Sequence, residues 1–79
     1  MKKEYSKVDF ANRLRELRED HDLTQKEIAE KLQMDRATYT RYEIQSTEPS
    51  ISTLFLLAEI YKTSIDYLVC RTDNPKPYE

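Results

Sequence analysis

No glycine occurs anywhere in the 79 residues. Tight β-hairpins draw on glycine, or on asparagine and aspartate beside it, for their positive-φ positions, so a glycine-free chain has few sites for them. An all-α fold is the expectation. A chain this short fills one hydrophobic core and not two. No stretch approaches the roughly 20 apolar residues of a membrane span, and none resembles a secretory signal, so a soluble cytoplasmic protein is expected. The single cysteine, Cys70, has no partner for an internal disulfide, which agrees with a reducing compartment. It reads as a small apolar filler.

Capping residues and apolar periodicity predict five helices. The first runs from about Asp9 to Asp20, with Phe10, Leu14 and Leu17 on one face. The second opens at Thr24-Gln25-Lys26-Glu27, a capping box, and turns Ile28, Ala29 and Leu32 inward. Asp35 caps a third helix from Arg36 to about Glu43, with Tyr39 and Tyr42 on its apolar edge. Ile44 to Pro49 is a loop. Ser50 caps a fourth helix carrying Ile51, Leu54, Leu57, Ala58 and Tyr61, and Ser64 caps a short fifth with Ile65 and Leu68. Residues 1–8 read as an N-terminal arm, 9–70 as the domain, and 71–79 as a frayed tail.

Only Gln33 to Asp35 separate the second and third helices. So short a connection makes them cross steeply and projects the third away from the core. Its outward side chains are then Arg36, Ala37, Thr40 and Arg41, at the end and one turn on, where a helix in a major groove meets base edges. Arginine suits that place because its planar fork matches the O6 and N7 acceptors of guanine. The amides near Gln25 offer a site for a phosphate oxygen.

The stretch Leu23-Thr24-Gln25-Lys26-Glu27-Ile28-Ala29-Glu30-Lys31-Leu32, with Arg41-Tyr42-Glu43, Pro49-Ser50 and Ile65-Asp66-Tyr67-Leu68 downstream, resembles the phage-repressor (Cro/CI-like, XRE-type) helix-turn-helix family. The resemblance runs from Arg13 to about Val69 and implies a five-helix, lambda-repressor-like DNA-binding domain. It places Gln25 against a phosphate and often against a neighbouring recognition side chain. Arg36, Ala37, Thr40 and Arg41 fall at base-facing positions, and Arg18 and Glu43 at a partly buried structural ion pair. Gln33 and Gln45 stand where the family commonly has glycine, and Ser46-Thr47-Glu48 lacks the basic residues many relatives set against the DNA backbone.

Net charge is −2, so a DNA partner must be met by a local basic surface. Residues 1–18 carry six basic and three acidic side chains, whereas residues 43–79 carry three and six. Double-stranded DNA is the expected partner, bound by a homodimer whose self-contact draws on Leu56, Tyr67 and Val69. Tyr5, Lys2, Lys3 and Lys7 are an ordinary N-terminus or an arm along the DNA. The acidic C-terminal half motivates an alternative, a protein-interaction module such as the antitoxin of a toxin–antitoxin pair. His21 has no second ligand at metal spacing, and no carboxylate pair or nucleophile motif is present, so neither metal, cofactor nor enzyme activity is expected.

Overall fold

The structure, a computed structural model, describes residues 4–77. It contains five α-helices in chain order: α1 (Lys7–Asp20), α2 (Gln25–Lys31), α3 (Arg36–Glu43), α4 (Ile51–Tyr61) and α5 (Ile65–Leu68). Every one starts the same way. Ser6, Thr24, Asp35, Ser50 and Ser64 each hold an extended backbone while the side-chain oxygen accepts the amide three residues on. At Thr24 the exchange is reciprocal, with Glu27 N donating to Thr24 Oγ1 at 3.1 Å and Thr24 N to Glu27 Oε1 at 2.8 Å. Four of the five caps are those expected. The fifth, Ser6, starts α1 two residues earlier than predicted, so Lys7 and Val8 belong to the helix and not to an arm.

Every helix also ends the same way, and here the missing glycine matters. Asp22, Gln33, Gln45, Lys62 and Cys70 each take a left-handed backbone, with φ between 54° and 68°. Around each, the chain closes back by paired amide bonds, as in Gln33 N to Glu30 O and Met34 N to Ala29 O, both 3.0 Å. This is the arrangement that satisfies the last carbonyls of a helix, and it normally recruits glycine. The left-handed conformation costs a residue with a Cβ about 1–2 kcal/mol. The chain accepts that cost five times, and the turn at Gln33 is the one that redirects α2 into α3.

The core draws on all five helices: Phe10, Leu14 and Leu17 from α1, Ile28, Ala29 and the adjoining Leu32 from α2, Tyr39 and Tyr42 from α3, Leu57 and Tyr61 from α4, and Leu68 from α5. Ile51, expected in the buried stripe of α4, is 79% exposed. It occupies the first position of that helix, on the side away from Leu57, with Phe55 and Leu56 likewise exposed. Tyr67 and Val69 are packed partly against the core, so of the three residues expected to form a self-contact only Leu56 stands open.

Within the tail expected at 71–79, residues 73 and 75 are held by side chains of the helical domain. Arg13 lies with its guanidinium 3.8 Å from the Tyr67 ring centroid and donates to the Tyr67 carbonyl at 2.6 Å and to Asp73 at 3.3 Å. Thr63 Oγ1 donates to the Pro75 carbonyl at 2.6 Å. Together these fasten residues 72–75 along α1 and the α4–α5 turn. Lys2 and Lys3 lie outside the described residues. Tyr5 sets its ring 6.3 Å from that of Phe10.

Lys62 is exposed and left-handed, so its cost is separable from packing. Lys62→Gly should raise stability in urea denaturation by about 0.5–1 kcal/mol, the relieved strain less the entropy glycine adds to the unfolded chain. Lys62→Ala, which keeps the Cβ, should leave stability unchanged. Equal midpoints for the glycine and alanine variants would refute the strain argument.

Candidate nucleic-acid interface

At the junction of α1, α2 and α3 sits one carboxylate, that of Glu43, whose side chain is only 4% exposed. A charge so placed requires donors, because burial without them would force it to neutralise. Four hydrogen bonds reach it. Arg18 from α1 binds it with both arms of the guanidinium, Nε to Oε2 at 2.8 Å and Nη2 to Oε1 at 3.1 Å. Gln25 from the start of α2 donates Nε2 to Oε1 at 3.1 Å, and the Tyr39 hydroxyl, one turn back on α3, donates to Oε2. The third donor of Arg18, Nη1, caps the Leu23 carbonyl at 3.1 Å.

Electrostatics follow from this count of donors. Burial pushes the Glu43 carboxyl up, but the bonds from Arg18, Tyr39 and Gln25 outweigh it and hold the group below its ordinary value of 4.5. Burial, followed by the bond to Glu43, drives the Tyr39 phenol far up, so it remains a donor at every physiological pH.

The network reaches the surface through Gln25. Its Oε1 accepts from Thr40 Oγ1 at 2.9 Å, tying the first residue of α2 to the outward side of α3. Thr40 is half-buried by this contact, whereas Arg36, Ala37 and Arg41 are exposed around it. Arg36 also lines an open cleft with Arg18, Leu23, Thr24, Gln25 and Lys26. The expected side chains therefore share one solvent-facing edge, with Gln25 at its border. Two contributors were not among the expected site residues. Lys26 brings a cation to the cleft beside Gln25, and Tyr39, read only as core, is also a ligand of Glu43. The spacing Tyr39 to Glu43, four apart on one helix, is the signal that would have found the second.

The loop that follows α3 keeps Ser46, Thr47 and Glu48 exposed and carries no basic side chain. His21 caps the end of α1, its Nδ1 2.9 Å from the Leu17 carbonyl and its ring beside that of Tyr61. No group of three or more metal-ligating side chains forms among the described residues, and no helix among them is long and apolar enough to cross a membrane.

The helix-turn-helix family matches residues 14–68, a span that takes in α2, α3 and the whole Glu43 network. An uncharacterized HTH-type transcriptional regulator of Bacillus subtilis (strain 168), YobD, is 40% identical over 68 residues, covering 86% of this chain and 61% of its own. The cryptic phage CTXphi transcriptional repressor RstR of Vibrio cholerae is 35% identical over 65 residues, covering 82% and 59%. The crystal structure of a transcriptional regulator from Listeria innocua superposes with a TM-score of 0.76 at 35% identity, over 82% of this chain and 61% of that one. The chain thus spans less than two thirds of the length of each of these relatives.

A carboxyl that titrates lower folded than unfolded binds fewer protons when folded. Its stabilisation is therefore full above about pH 4.5 and drains as pH falls through the lower, folded value. Urea denaturation across that window should show wild type losing stability on acidification and Glu43→Gln following a flatter curve. At neutral pH, Arg18→Ala should cost about 3–5 kcal/mol, because it leaves Glu43 buried without its counter-ion. A loss under about 1 kcal/mol would mean that water, and not Arg18, satisfies the carboxylate.

Proposed function

The chain belongs to the helix-turn-helix family, and on that footing we propose that it is a sequence-specific DNA-binding transcriptional regulator of repressor type. It reads the major groove with the edge of α3 formed by Arg36, Ala37, Thr40 and Arg41, while Gln25 meets a phosphate. The observation that carries this reading is the contrast within α3. Its residues Tyr39 and Glu43 fix it to both preceding helices, while Arg36, Ala37 and Arg41 of the same helix stay exposed to solvent. A rigid helix with an exposed, donor-rich edge is what base readout requires, since bidentate contacts tolerate little misplacement.

A single helix reads few base pairs, so a homodimer on a near-palindromic operator is proposed, its half-sites about 34 Å apart. Leu56 belongs to that self-contact, joined by Ile51 and Phe55 on the exposed side of α4, which would meet the same residues of the second copy across a two-fold axis. Regulation then works by occupancy of DNA and not by catalysis, in the cytoplasm. The loop Ser46-Thr47-Glu48 adds no phosphate contact, so affinity depends more on base readout and less on ionic strength than in a relative with a basic loop.

Selection of bound sites from a random duplex pool, followed by binding measurements, tests the proposal. Wild type should enrich an inverted repeat. Arg36→Ala with Arg41→Ala should lose about 1–3 kcal/mol per guanine contact removed, confined to the base pairs those arginines read. Equal binding of the selected site by wild type and the double variant would overturn the assignment. Copurification of a stoichiometric small protein from native cells, with no enriched DNA, would favour the antitoxin alternative.

A further inference from the structure

Resting on that reading, we propose that Thr40 selects an A·T base pair, accepting from the adenine amine and touching the thymine methyl, because Glu43 dictates the hydrogen-bond polarity of the side chains in front of it. The derivation is a chain of forced choices. An ionised carboxylate only accepts. Glu43 Oε1 lies 3.1 Å from the Gln25 amide, so the atom facing it is Nε2. That turns the amide oxygen toward Thr40, 2.9 Å away. An amide oxygen carries no hydrogen, so the Thr40 hydroxyl is the donor and its one proton is committed.

What Thr40 retains for DNA is a lone pair and a methyl group. The purine edge of guanine presents N7 and O6, both acceptors, and a hydroxyl with no free proton cannot serve them. Cytosine offers an amine but no methyl beside it. The A·T pair alone carries both the adenine N6 amine and the thymine methyl in the major groove. Ala37, exposed one turn earlier on the same edge, adds a second methyl and no competing polar group. Arg36 and Arg41, whose guanidinium groups only donate, complement this centre by suiting guanine at the flanks.

Sites selected from a random pool with wild type, Thr40→Ser and Thr40→Val identify the pair whose preference depends on Thr40. In the wild-type site, replacing the thymine of that pair with deoxyuridine should weaken binding about three- to fivefold, the transfer value of one buried methyl. The same replacement should not affect Thr40→Ser, which keeps the hydroxyl and lacks the methyl. Replacing the adenine with unsubstituted purine should weaken wild type and Thr40→Ser but not Thr40→Val, which has no oxygen to accept the amine. If wild type enriches a sequence but the Thr40 variants alter no pair, or alter a G·C pair, the polarity argument is wrong and the DNA-binding reading stands. If wild type enriches no sequence, that reading itself fails.

Discussion

The Glu43 carboxylate is the constraint on which the interface depends. It is almost fully withdrawn from water and yet charged, and it stays so because Arg18, Gln25 and Tyr39 converge on it. Those donors come from α1, from the first residue of α2 and from α3 itself. Satisfying one acceptor group thereby sets the mutual placement of three helices. An apolar cluster replacing Glu43 together with its partners could fill the same volume, often with no loss of stability. It could not select one arrangement of donors, and the arrangement is what reaches Gln25 and Thr40 at the surface.

Around that hub the fold is assembled from short helices that need firm ends. Helices of four to fourteen residues are marginal in isolation, so each relies on its caps and on the core face it buries. The five side-chain N-caps are inexpensive. The five left-handed C-termini without glycine are not, and the chain tolerates them where a packed residue follows or precedes, as Ala29 and Met34 do on either side of Gln33. The fold thus carries local strain at its corners and recovers it in packing.

Much of this was legible in the sequence because caps and periodicity are local signals. Thr24, Asp35, Ser50 and Ser64 announce their helices, and the stripes of α1 and α2 are visible in residue spacing. The family resemblance marks Gln33 and Gln45 as positions where glycine is common, and both take a positive φ. At Lys62 and Cys70 nothing in the residue type marks it, and at Asp22 only the general tolerance of aspartate for positive φ does. The pairing of Arg18 with Glu43 likewise came from resemblance, because residues 25 apart in sequence share no local pattern. The relay from Glu43 through Gln25 to Thr40 depends on side-chain rotamers at the contact of two helices, and composition does not encode those. Nor does it show Arg13 stacked on Tyr67 and holding Asp73, which turned an expected loose tail into an ordered strap. Ile51 misled for a simpler reason: an apolar residue at the first position of a helix need not share the face of those that follow.

Titrating the isotope-labelled full chain with its selected duplex, and following backbone amide shifts, most directly examines where DNA is received. The account predicts that the largest changes fall at residues 24–27 and 36–41, on the two segments joined by Gln25 and Thr40. Saturable binding that moves other amides while leaving residues 36–41 in place would contradict it.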